Sequence, residues 1–141
     1  MKIPVEINYF AGGLRAMLKV ILKFDNPHLF LPINAIIDTG SPTTLIGISD
    51  MRRMRLSKVQ LNKIQGMTHE VNIGGGKVKT IKLENMKFKI GSYLDIEMDV
   101  QFPIDGEEKA QPSLLGVDFL EKINANFCFN PSKREAYLEI N

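Results

Sequence analysis

Ala35-Ile36-Ile37-Asp38-Thr39-Gly40-Ser41-Pro42-Thr43-Thr44-Leu45-Ile46 places one carboxylate on a glycine turn between two apolar runs. Ile36 and Ile37 read as the end of a buried strand, while Thr39, Gly40, Ser41 and Pro42 are turn formers, so Asp38 is expected where the core opens. Burial at such a point favours the protonated acid, and nearby hydroxyl and amide donors favour the anion. The position therefore suits a group that exchanges protons. The plain alternative is an ordinary turn, because Asp, Gly and Ser are common turn residues.

Upstream, Leu14, Ala16, Leu18, Val20, Leu22 and Phe24 share one parity, with Arg15, Lys19 and Lys23 on the other, which is a strand pattern. Ile3 to Tyr9 reads as a further strand, separated from it by a bend at Ala11-Gly12-Gly13. Asp25-Asn26-Pro27 supplies the next turn, and Phe30 to Ile37 is the strand that delivers Asp38. Ser49 or Asp50 is placed to cap a short helix through Met51, Met54 and Leu56. Downstream, Met67 to Ile90 predicts a hairpin turning at Gly74-Gly75-Gly76, followed by another strand. Tyr93 to Phe102 alternates again, and Pro103 to Pro112 is a polar loop. Leu114-Leu115 is a short buried strand closing on Gly116, and Val117 to Ile123 is the main helix. Phe127 to Phe129 and Ala136 to Ile140 flank a turn at Asn130-Pro131-Ser132-Lys133, leaving a terminal strand available to a partner chain.

The 141 residues, 44% of them hydrophobic, predict one domain over 1–141 with a sizeable core. Eighteen basic against sixteen acidic residues give a formal charge of +2, too balanced to indicate nucleic acid. Cys128 is the single cysteine, which excludes an internal disulfide and fits a reducing compartment, with a buried, inert thiol. No apolar run approaches membrane-spanning length, so a soluble, cytoplasmic protein without a membrane partner is expected.

The spelling Asp38-Thr39-Gly40-Ser41 between hydrophobic residues resembles the aspartic peptidases, and Leu114-Leu115-Gly116 is similar to the hydrophobic-hydrophobic-glycine element of that family. Both motifs, with a glycine hairpin between them, resemble a retroviral-type (retropepsin-like) protomer from about Leu14 to Ile140. The resemblance implies a mainly β, closed barrel-like fold with one short C-terminal helix and a flap hairpin. It also implies an aspartic endopeptidase with no cofactor and no metal. Asp38 would be the catalytic acid; Thr39 would bond across a dyad, Gly40 would let its backbone approach the carboxylates, and Ser41 would donate to Asp38. Gly116 would leave room for the loop, and Gly74, Gly75 and Gly76 would form a flap over a peptide or protein substrate. Pro42 and the absence of a flap aromatic depart from the family pattern and bear on substrate preference.

Asp-Thr-Gly occurs once, whereas this chemistry needs two neighbouring carboxylates, so the resemblance implies a homodimer pairing Asp38 with its symmetry mate. The other reading of the same fold is a catalytically silent peptide-binding or assembly module. Other motifs point to less. Gly74-Gly75-Gly76-Lys77 lacks the first glycine and the Ser/Thr of a phosphate loop. His28 and His69 lack metal-ligand spacing. Arg52, Arg53, Arg55 and Lys58 read as a solvated helix face, and Asp118 as a helix-terminal carboxylate needing a capping or dipole explanation.

Overall fold

The computed structural model describes residues 1–25, 28–55, 65–73, 76–103 and 111–141, with backbone alone over 65–73 and 76–79. Ten strands and two short helices follow one another in the order β1 (Lys2–Pro4), β2 (Glu6–Phe10), β3 (Gly13–Phe24), β4 (Leu29–Ile37), α1 (Ile48–Arg53), β5 (Gln65–Ile73), β6 (Gly76–Ile90), β7 (Leu94–Pro103), β8 (Leu114–Leu115), α2 (Val117–Ile123), β9 (Ala125–Asn130) and β10 (Glu135–Ile140), counted among the described residues. The chain is mainly β, as the alternating segments predict.

The parity of β3 sets the main core. Ala16, Leu18, Val20 and Leu22 are buried on one face and pack with Leu29, Leu31, Ile33 and Ala35 of β4, while Lys19 on the other face is exposed. The alternation ends at Ala35-Ile36-Ile37, where all three are buried. At that point β4 is covered on both faces, which a continuous apolar run tolerates and a half-exposed strand does not. Phe88 of β6 meets Phe119 of α2 at 6.4 Å between ring centroids, linking the sheet to the second helix. Ala11 and Gly12, at φ 50° and 81°, form the tight turn joining β2 to β3. Two successive positive φ angles match the right-handed twist of the strands they join.

The seven-stranded sheet runs β5-β6-β3-β4-β8, with β2 also paired to β3 and β7 to β6; β1, β10 and β9 form a separate three-stranded sheet. The closed barrel expected from the sequence is therefore corrected to two sheets. Among the described residues no strand pairing returns from β8, a two-residue strand parallel to β4, to β5. The segment expected to hold a hairpin plus another strand is β5 followed by one long strand. β6 bends at an irregularity between Leu83 and Met86, where Asn85 adopts φ 58° and the strand continues. Gly76 opens β6 opposite Ile73, while Gly74 and Gly75 lie outside the described residues.

Further expectations change near the chain ends. β10 pairs with β1 on one side and β9 on the other, so the terminal strand has no free edge to offer a partner. Cys128 is half-buried rather than buried, being on β9 at the margin of this sheet. Neither Ser49 nor Asp50 caps α1: Gly47 occupies the cap position, with no side-chain bond, and Asp50 lies within the first turn.

Candidate active site

β4 ends at Ile37, and the chain turns at once under a net of backbone bonds. Asp38 N donates to Leu115 O at 2.9 Å, and Ser41 N donates back to Asp38 O at 3.1 Å, closing the turn. The Asp38 side chain is held from inside the same turn: Gly40 N donates to Oδ1 at 2.8 Å. Oδ2 has no hydrogen-bond partner among the described residues. One oxygen is thus anchored and the other is open to accept or release a proton.

β8 is inserted between β4 and the strand-like segment after the turn. Ile36 and Ile37 pair in parallel with Leu114 and Leu115, and Leu45 exchanges backbone bonds with Leu114 at 2.9 and 2.7 Å. Gly116 follows, and its position demands the absence of a side chain. A Cβ there would lie 2.5 Å from Thr43 O and 2.6 Å from Ser41 O, both backbone atoms that cannot swing away. This close approach lets Val117 N donate to Ser41 O at 2.8 Å.

Asp118 completes the clasp. Its Oδ1 accepts from Thr44 Oγ1 at 2.8 Å and its Oδ2 from Thr44 N at 3.0 Å, while Gly116 N donates to Thr44 Oγ1 at 3.2 Å. Thr44 is fully buried, so these bonds satisfy polar groups that would otherwise be stranded. A second tie lies just beyond: Ser113 Oγ accepts from Gly47 N at 2.9 Å and donates to Asp50 Oδ2 at 2.6 Å. Asp50 also pairs with Arg53, which reaches on to Pro32 O.

Asp38 lines a cleft of about 350 Å³ together with Gly40, Ser41, Ile36, Leu114, Phe10, Leu14, Arg15, Gln111, Pro112 and Phe129. Its lining mixes apolar side chains with Arg15, Asp38, Ser41 and Gln111, and its volume is in the range of ligand-binding clefts.

A profile of the aspartyl protease family matches residues 22–119, a span that includes the Asp38 turn, β8 and Gly116. The chain belongs to the aspartyl protease family. Among solved structures, this aspartyl protease is similar to a retropepsin-like aspartic protease from Rickettsia conorii, at 19% identity and TM-score 0.57 over 98% of this chain and 89% of that one. It is also similar to the EIAV protease in complex with an inhibitor, at 18% identity and TM-score 0.54 over 86% of this chain and 99% of that one. A sequence comparison with curated proteins finds no match. The fold is thus retropepsin-like.

The structure brings Asp38, Thr39, Gly40, Ser41 and Gly116 into one neighbourhood and leaves Gly74 and Gly75 undescribed. It changes one bonding partner. Ser41 Oγ donates to Thr43 O at 2.7 Å, not to Asp38, and the donor to the carboxylate is the Gly40 backbone. Ser41 is almost fully buried beneath the turn, so its hydroxyl serves the loop backbone. Thr39 is exposed on the outer side of the turn. Sequence reasoning missed Thr44, Ser113 and the reach of Asp118. The available signal was the position of Asp118 two residues after an obligatory glycine, yet its partner stands 74 positions earlier.

Proposed function

We propose that this aspartyl protease is an endopeptidase active as a symmetric homodimer, in which a water held between two Asp38 carboxylates attacks the scissile carbonyl. The observation that carries the reading is the state of Asp38: anchored through Oδ1, open at Oδ2, and set in a peptide-sized cleft. One such group cannot both remove a proton from water and donate one to the carbonyl. Two of them, brought together on a twofold axis, share a single proton because like charges at close range cannot both ionise, as is established for aspartic proteases generally. One Asp38 then acts as base and its mate as acid, exchanging roles as the tetrahedral intermediate collapses.

Several features support the assembly. β9 has an outer edge with no strand paired to it among the described residues, and Phe129 on that strand also lines the Asp38 cleft. A second copy adding its own β9 along this edge would bury Phe129 and bring the two half-sites towards each other. Val117, directly after Gly116, is also exposed. Thr39, exposed on the turn, is the group placed to bond across the axis. Gly74, Gly75 and Gly76 would serve as a flap over an extended peptide and exclude bulk water, a reading supported by the antiparallel pairing of β5 with β6.

Residues 1–141 would act as one domain, a reading supported by a main core cluster whose members run from Ile3 to Leu138. No helix among the described residues is long and apolar enough to cross a membrane. The lone cysteine supports a cytoplasmic setting.

Replacing Asp38 by Asn tests the function. Cleavage of a peptide library between pH 3 and pH 7 should fall by roughly 10²–10⁴-fold, with thermal stability and dimer mass retained. Undiminished cleavage by this variant would refute the mechanism, and a wild-type protein that binds but never cleaves peptides would identify a silent binding module.

A further inference from the structure

Strand parity gives Arg15 a place that composition alone does not. On β3, Ala16, Leu18, Val20 and Leu22 face the main core, so Arg15 and Met17 lie on the opposite face. Met17 packs there in a separate small cluster with Ile36 and Leu114, both of which line the Asp38 cleft. Arg15 continues the same face outward and lines that cleft beside Phe10, Leu14 and Phe129. Its Nε donates to Phe10 O at 3.4 Å, which ties the guanidinium to the β2–β3 turn. The two terminal nitrogens have no partner, and Arg15 forms no ion pair, among the described residues.

We propose that Arg15 is a specificity-determining residue that binds the carboxylate side chain of a Glu or Asp in the peptide substrate. The inference rests on the peptide-cleaving reading of the Asp38 cleft and adds a substrate class to it. A guanidinium already oriented through Nε presents its remaining donors as a planar fork, the shape that matches a carboxylate. Arg15 is exposed to solvent, so the pair draws its strength from the geometry of the fork rather than from exclusion of water, and salt weakens it. Asp38 carries the opposite charge preference within the same cleft. An acidic substrate side chain is therefore tolerated at the Arg15 end and repelled at the catalytic end, which makes the selectivity dependent on position.

The test uses octapeptides built on a non-hydrolysable hydroxyethylene centre, with one Glu moved through the positions and a Gln twin for each, and calorimetric binding to the full chain. At one position Glu should bind about tenfold more tightly than Gln. That ratio should shrink as salt is raised and as pH falls below about 4, where the side chain protonates. It should drop to about one in Arg15→Gln, and Arg15→Glu should instead prefer a Lys twin. Equal affinities at every position, no binding of any ligand, or a Glu preference unchanged in Arg15→Gln overturns the proposal. Dissociation of the dimer in Arg15→Gln with the Glu preference intact also overturns it, assigning the guanidinium to the subunit interface. Cleavage of an unmodified peptide is read separately: Glu selectivity without hydrolysis would retain Arg15 and remove the catalytic reading.

Discussion

The loop that carries Asp38 and the small sheet that carries Phe129 are handled in opposite ways. From Asp38 to Gly47 the chain is tied to residues 113–118 by a net of bonds, including one from the Thr44 backbone and one from its hydroxyl to the Asp118 carboxylate. The β1-β10-β9 sheet satisfies β10 on both sides and leaves the outer edge of β9 unpaired among the described residues. Orientation of the acid is thus settled within one chain, and in the proposed dimer completion of the site would be left to association. A half-site can be rigid before its mate arrives, which lowers the ordering cost when two copies meet.

Gly116→Ala should break the clasp most severely. A Cβ 2.5 Å from Thr43 O forces backbone displacement, so stability should fall by about 3 kcal/mol or more and peptide cleavage should vanish, as read by chemical denaturation and a cleavage assay. Asp118→Ala attacks the same clasp without overpacking. It leaves Thr44 N and the Thr44 hydroxyl proton without an acceptor at a fully buried position, and denaturation should report a loss of roughly 1–3 kcal/mol. Retained stability in this variant would show that the clasp is not what holds the turn.

The open edge is probed by Phe129→Lys, which places a charge on the exposed flank of β9. The monomer should keep its melting temperature within a few degrees, while dimer dissociation measured by sedimentation should rise by about tenfold or more. The smallest effect is expected far from both regions, at the Asp25–Lys87 pair. Lys87, hydrogen-bonded at 2.7 Å, holds the Asp25 carboxyl below its ordinary value, and Asp25 in turn raises the Lys87 ammonium. Asp25 therefore contributes stability above the ordinary Asp range and loses it as pH falls through its depressed folded value. The pair is fully exposed, so the observable is a titration rather than a melting shift. Lys87→Met should return the Asp25 midpoint, followed by carboxyl NMR, to that of an ordinary aspartate.

Much of this arrangement is legible in the chain. The parity of Leu14 to Phe24 predicts β3 and its buried face, and Asp38-Thr39-Gly40 with Leu114-Leu115-Gly116 points to two segments that do meet through β4 and β8. What escapes is pairing between distant residues. Local pattern gives no means to know that Asp118 reaches Thr44 as well as the Phe119 N–H of its own helix, because capping and long-range bonding demand the same residue type. The turn also gives Ser41 two competing acceptors, and only its burial beneath the loop selects Thr43 O. The double pairing of β10 likewise depends on β1 returning from the other end of the chain. Strand alternation is silent about which neighbours a strand acquires.

The 74-residue separation between Thr44 and Asp118 has a bearing on how the molecule comes into being. On the ribosome, Asp38 emerges long before the stretch that braces it, and a contact of such sequence span forms late. Until then the nascent chain carries an aspartate without its long-range brace, and so translation itself would delay the moment at which the proposed cutting centre could exist.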